Sequence, residues 1–290
     1  MMKRCLSVLL TLLLILGMFS GCKPNTDISP TDDSTQDSTQ DSTQDSTQDS
    51  TQDSTGEAET DWEAVLQLLR KDFPTIDGST SLIPLEAGIR SAIFNKSIED
   101  ATADVVHSST WRSFYNLMEK DVDMIFSVPF SQDQIDYAAG KLEQVPVAKE
   151  GFVFVVNAKN PVSKLTQQQI KDIYSGKITN WKQVGGLDEK IIPYQRNINS
   201  GSQNFMIEFM GKTPLMDAPS EQRPASMDGL MDVIAVNDNS RQAIGYSVYA
   251  YAADMYGNGN EIKFIQVDGI APSKKTFANG TRNGSLLSRR

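Results

Sequence analysis

Residues 33–52 repeat Asp-Ser-Thr-Gln five times without a break, and Asp53-Ser54-Thr55-Gly56 begins a sixth unit. The wider stretch 26–60 is almost free of apolar residues, so it cannot bury enough surface to offset the entropy of ordering it. A four-residue period could suggest a helix face, but Asp, Ser and Thr at this density favour turns and solvation over helix. Residues 22–60 are therefore expected to form a disordered tether with an r.m.s. reach of roughly 30 Å. Any core must come from Asp61 onward.

Ahead of the repeat, Lys3 and Arg4 precede an apolar run over residues 6–19, and Ser20-Gly21-Cys22 follows at the spacing of a secretory cleavage site. The run falls below the roughly 20 apolar residues of a membrane span. Residues 1–21 are expected to be a signal peptide. Small residues directly before a cysteine resemble the bacterial lipobox, with Phe19 standing where Leu, Val or Ile is usual, and assign Cys22 as the lipidated first residue of the mature chain. The alternative is secretion with a free thiol. Cys5 lies in the removed segment, so the mature chain offers no cysteine pair for a disulfide and no cysteine for a zinc site.

The formal net charge of −10 resides mostly in the tether, where ten acidic residues lie between Asp27 and Glu59 with no base among them. From Asp61 onward 24 basic residues stand against 27 acidic ones. A near-neutral body argues against nucleic acid, which calls for a basic face. It leaves room for a small anion, because local donors decide that.

Trp62, Val65, Leu66 and Leu69 recur at helical spacing behind Thr60-Asp61-Trp62-Glu63, which reads as a capping box with Thr60 as cap. Three junctions then share one pattern. Residues 73–76 read as extended, Asp77-Gly78-Ser79-Thr80-Ser81 as a loop, and 82–94 as a helix with Pro84 tolerated in its first turn. Residues 103–106 read as a strand and His107-Ser108-Ser109-Thr110 as a turn, with Trp111, Phe114, Tyr115 and Met118 on a helix. Ile191-Ile192 reads as a short buried strand, Ser200-Gly201-Ser202 as a cap and first turn, and 204–210 as a helix.

Residues 123–126 make a further buried strand running into Ser127-Val128-Pro129-Phe130, and 145–148 with 151–157 form a β-rich crossing in mid-chain. Beyond lie expected helices at 166–174 and 224–237 and strands at 243–246 and 262–267. Alternating short strands and helices imply an α/β fold whose ligand site lies outside the carboxyl ends of the strands. Trp62, Trp111 and Trp181 are expected in the core.

The first N–H groups of a helix lack intrahelical partners, so a Ser-Gly-Ser start presents donors and hydroxyls to a negative ligand. Arg196, four residues before Ser200, adds a planar fork of charge-assisted donors. An ordinary capped helix with a surface arginine is the plainer alternative. Three serine- and threonine-rich junctions weigh toward an anion site.

Asn160-Pro161-Val162, the run Ile173-Tyr174-Ser175-Gly176-Lys177-Ile178-Thr179-Asn180-Trp181, and Arg196 followed by Ser200-Gly201-Ser202 resemble the substrate-binding proteins of bacterial phosphate ABC importers. Asp77-Gly78-Ser79-Thr80-Ser81 with Pro84-Leu85 looks like their first anion loop, and Ala243-Ile244-Gly245-Tyr246 like a late strand of their second lobe. The resemblance spans roughly residues 73–280. It implies an α/β, two-lobed periplasmic-binding-protein-like fold (type II) that closes on one oxyanion, with lobes at 61–147 and 148–281.

Carried over by position, the candidate contacts are Thr80, Ser81, Ser109, Thr110, Arg196, Ser200, Gly201 and Ser202. The implied protein is a monomer without cofactor or metal, tethered outside the cytoplasm through Cys22 and partnered by an ABC importer permease. Its ligand is phosphate or another oxyanion such as sulfate, molybdate or tungstate.

Two departures accompany the resemblance. Relatives often carry an acidic residue where this chain has Ser127-Val128-Pro129-Phe130, so the choice among oxyanions stays open. They also continue with a strand that returns beside the mid-chain crossing and a final helix, whereas residues 282–290 are an atypical tail. The C-terminal strand and helix therefore read as missing, and residues 151–156 are expected to lack a strand partner, with part of the first lobe uncovered. A transport-incompetent truncated paralogue acting as a surface or adhesive lipoprotein is the alternative function.

An enzyme is the other rival. His107 is the one histidine, no Gly-x-Ser-x-Gly motif is present, and no Walker loop surrounds Gly176-Lys177. His107 reads as a structural hydrogen-bonder at a strand end.

Overall fold

The computed structural model describes residues 61–278. The signal peptide, Cys22, the tether, Thr60 and the tail at 282–290 lie outside the described residues. The chain divides into two units between Asp72 and Phe73.

In the first unit, α1 (Trp62–Lys71) is capped by Asp61, whose Oδ1 accepts from Ala64 N at 3.1 Å. The cap stands one residue later than Thr60, because the Asp61 carboxylate both satisfies an orphan N–H and meets the positive end of the helix.

The second unit opens with β1 (Ile76–Gly78), a 3-10 turn at Thr80–Leu82, α2 (Ile83–Phe94), α3 (Ile98–Ala103), α4 (Thr110–Glu119), β2 (Met124–Phe126) and α5 (Gln132–Ala138). It continues with β3 (Phe152–Asn157), β4 (Lys164–Leu165), α6 (Gln167–Tyr174), β5 (Ile192–Pro193), α7 (Gly201–Met210) and α8 (Met227–Ala235). The last described elements are β6 (Ala243–Val248), β7 (Ile262–Phe264), β8 (Gln266–Val267) and α9 (Lys274–Ala278).

β1 and β2 pair in parallel, with Ile76 opposite Met124 and Gly78 opposite Phe126. The α-helical crossover between them ends with α4 packed under both strands. Residues 103–106 are not a strand. Ser97 caps α3 by accepting from Asp100 N at 3.0 Å, the helix runs through Ala103, and Val106 is left 59% exposed in a loop.

The larger sheet has the order β5-β6-β3-β7. β3 pairs antiparallel on both sides, Phe152 opposite Val248 and Val155 opposite both Gly245 and Phe264. This overturns the expectation that residues 151–156 lack a strand partner. A continuous Phe-Val-Phe-Val-Val run demands cover on both faces. Phe209 of α7 packs on Phe154 at 4.9 Å between centroids, and Tyr246 lies 5.5 Å from Phe152.

On the other side, Asn157 Nδ2 donates to Ile234 O and Ala235 O, both at 2.9 Å, satisfying the end of α8. Phe277 of α9 closes on Gly151, where an added Cβ would lie 2.5 Å from the ring and would push it aside. Truncating a buried aromatic such as Phe154 to Ala costs about 3–5 kcal/mol.

Other expectations shift. Residues 145–148 form no strand: Pro146 removes a donor, and Val145 and Val147 are exposed. The strand expected at 262–267 breaks at Ile265 into β7 and β8, which pair in different sheets. The helix expected at 224–237 is confined to α8 by its Ser226 cap. Trp181 is buried, donating through Nε1 to Gln242 O at 3.0 Å, and Trp62 is half-buried. Trp111 is 43% exposed, lying on Tyr115 at the surface of α4 rather than in the core. Among the described residues no helix is long and apolar enough to cross a membrane.

Candidate functional site

Three helix starts meet at one place. Ser79 leaves β1 and its N–H donates to Phe126 O of the neighbouring strand at 2.9 Å. Its buried hydroxyl shares a 2.9 Å hydrogen bond with Thr110 Oγ1, at the start of α4, and reaches Ser127 Oγ, just past β2, at 3.4 Å. The start of α7 abuts the same cluster. A Cβ added to Gly201 would lie 2.8 Å from Thr110 Oγ1 and 2.5 Å from Val128 Cγ2, so only a hydrogen fits there.

These ends are rich in unused donors. Among the described residues the N–H groups of Thr80, Ser81, Thr110, Trp111, Gly201 and Ser202 have no hydrogen-bond partner. Helix starts carry partial positive charge, and three of them together favour an anion. Ser200 caps α7 by accepting from Gln203 N at 3.4 Å. Ser202, 2% exposed in the first turn, has a hydroxyl with no partner. A buried unsatisfied hydroxyl costs about 1–3 kcal/mol, which a ligand oxygen would relieve.

Buried Asp77 positions the loop before α4. Its Oδ1 accepts from Gly78 N and Ser108 N, and its Oδ2 from Asn116 Nδ2, all at 2.7 Å. The next loop residue, Ser109, holds φ 84 and ψ 162, a region that side chains other than glycine's avoid. A polar seam borders α7. Ser131 Oγ donates to Asn199 Oδ1 at 2.8 Å and Asn204 Nδ2 donates to Pro129 O at 3.2 Å.

Arg196 is 8% exposed. Its Nε donates to Pro224 O at 3.1 Å, its Nη2 to Ala225 O at 3.0 Å, and its Nη1 faces Met227 Sδ at 3.6 Å. Its backbone N–H donates to Gln203 Oε1 at 2.9 Å and to Tyr246 Oη at 3.0 Å. Burial lowers its pKa, with Tyr246, Tyr251 and Asp228 acting in the opposite direction. Burial also pushes the Tyr246 phenol up.

Thr80, Ser81, Ser109, Thr110, Ser200, Gly201 and Ser202 thus lie on the three helix starts expected from the sequence. Among the described residues no hydrogen bond joins the Arg196 guanidinium to any of them. Ser79, Asp77 and Ser127 are not among the candidate contacts, although all three lie in stretches picked out in the sequence. Their role depends on the parallel β1–β2 pairing, which brings residues 79 and 127 side by side. His107 is exposed. Among the described residues no group of three His, Cys, Asp or Glu side chains could hold a metal ion.

Residues 43–282 match a family model described as a PBP superfamily domain. The phosphate-binding protein PstS of Bacillus subtilis (strain 168) is 25% identical over 206 residues, covering 71% of this chain and 65% of that protein. PstS of Staphylococcus epidermidis (strain ATCC 12228) is 27% identical over 214 residues, covering 71% and 64%. The chain therefore spans just under two thirds of the length of these relatives. An ABC-type phosphate transport receptor from Vibrio cholerae superposes with a TM-score of 0.52 at 26% identity, covering 73% of this chain and 83% of that one.

Proposed function

The chain belongs to the PBP superfamily, and on that premise we propose that it captures a small oxyanion, phosphate foremost, outside the cytoplasm and hands it to an ABC importer permease. The observation that carries this reading is the start of α7. There, Gly201 abuts Thr110 of a second helix start, the N–H groups of Gly201 and Ser202 are unpartnered, and the buried Ser202 hydroxyl has no hydrogen-bond partner. Thr80, Ser81, Ser109, Thr110, Ser200, Gly201 and Ser202 are the proposed contacts. Arg196 joins them through the two N–H groups that its carbonyl and sulfur partners leave unused.

In this reading one lobe ends at residue 147 and the other covers 148–281, the protein acts as a monomer without cofactor, and Cys22 carries the lipid anchor. Binding rather than catalysis is the activity.

Isothermal calorimetry of the mature chain with inorganic phosphate tests the proposal. Saturable one-to-one binding with Kd below about 1 mM is expected, weakened at least about tenfold by Ser202→Ala. Absence of heat at millimolar phosphate rejects it. Release of phenolate from an aryl phosphate would show an enzyme instead.

A further inference from the structure

The wall that Val128 contributes is out of keeping with its neighbours. Ser79, Thr110 and Ser127 bring hydroxyls to the cluster beside Gly201, yet Val128, 6% exposed, directs a methyl group at the start of α7, against Gly201. Among the described residues no Asp or Glu side chain hydrogen-bonds any hydroxyl of the three helix starts. The buried carboxylates close by in the chain are engaged elsewhere: Asp77 holds Gly78 N, Ser108 N and Asn116 Nδ2, and Glu86 pairs with Arg90 Nε at 2.7 Å. The site therefore offers backbone N–H donors, hydroxyls that donate or accept, and an apolar surface.

Monohydrogen phosphate and sulfate are both tetrahedral dianions and differ chiefly by one proton. A charged acceptor separates them in favour of phosphate, because it takes the P–OH hydrogen bond and repels a bare sulfate oxygen, whereas hydroxyls that donate or accept serve either anion. We propose that Val128 sets the anion specificity of this site by withholding such an acceptor, so that fully ionised tetrahedral oxyanions of the sulfate class bind alongside phosphate. The inference rests on the reading of the three helix starts as an oxyanion site.

Calorimetry and competition at pH 8 with inorganic phosphate and sulfate, on the wild-type mature chain, test it directly. Sulfate is expected to bind within about tenfold of phosphate and to displace it. Phosphate binding with no displacement by a hundredfold excess of sulfate overturns the specificity proposal and leaves the oxyanion reading standing. Binding of neither anion removes both. In Val128→Asp, sulfate affinity should fall at least about a hundredfold while phosphate stays within about tenfold, since the new carboxylate repels one and accepts from the other. An unchanged sulfate-to-phosphate ratio in a folded Val128→Asp protein also overturns the proposal, and the wild-type competition decides the matter if that variant does not fold.

Discussion

Ser79 Oγ and Thr110 Oγ1 lie 2.9 Å apart, both buried, and join two helix starts separated by 31 residues in the chain. Replacing Thr110 with Val keeps the shape and removes this bond. The expected result is a loss of about 1 kcal/mol in stability and at least about tenfold weaker phosphate binding, read by thermal melts and calorimetry. Full retention of affinity would remove Thr110 from the site.

Asp77 binds three donors while only 1% exposed. Asp77→Asn leaves one acceptor oxygen where the carboxylate has two, so either the Gly78 and Ser108 N–H groups or Asn116 Nδ2 faces an NH2, at a cost of about 1.5–3 kcal/mol. Hydrogen exchange should rise most at Ser108, whose N–H the carboxylate holds. Exchange that rises uniformly would deny Asp77 its loop-positioning role.

Ser109 holds a backbone conformation that is essentially glycine's, with φ 84 and ψ 162. Ser109→Gly should raise stability by about 1 kcal/mol, whereas Ser109→Ala should not, because alanine keeps the Cβ. Denaturant midpoints of the two variants separate backbone relief from loss of the hydroxyl.

The Arg196 guanidinium braces the loop ahead of α8 by donating to Pro224 O and Ala225 O. Arg196→Ala should lower the stability of the anion-free protein by about 1.5–3 kcal/mol and also weaken phosphate binding. Lys in its place should restore neither, lacking the planar fork. An anion-free melt unchanged by the Ala substitution would leave Arg196 without a bracing role.

Burial pushes the Tyr256 phenol up to about 12, helped by Asp232, which accepts from its Oη at 2.7 Å. Burial likewise raises Tyr251, which donates to Asp228. A phenol raised in the folded state contributes stability that is fully present below its unfolded value near 10 and is lost as pH climbs through the folded value. Melting temperature should therefore fall between about pH 10 and 12, and the Tyr251→Phe, Tyr256→Phe pair should flatten that slope.

How far the sequence reveals the site depends on the range of the interactions. The cap at Ser200 and the helix behind it are local matters of chain chemistry, so α7 was readable, as were the turns at Ser79-Thr80-Ser81 and Ser109-Thr110. The commitment of Arg196 to carbonyls 28 and 29 residues away was not, because nothing near Arg196 marks Pro224 and Ala225 as partners. Val106, Val145 and Val147 misled for a related reason. Strand propensity becomes a strand only where a neighbour supplies a ladder, and these valines are exposed outside any strand. β3 shows the converse, since its apolar run was legible while its two antiparallel partners were not.

Each helix start carries roughly half a unit of positive charge, so the three that converge near Gly201 sum to about one and a half. Ends of like sign repel one another. In the proposed oxyanion reading, a dianion arriving there would act as a keystone, cancelling the repulsion as it is recognised. Part of the binding energy should accordingly appear as cohesion of the protein, so that anion-free preparations melt earlier and more broadly than loaded ones.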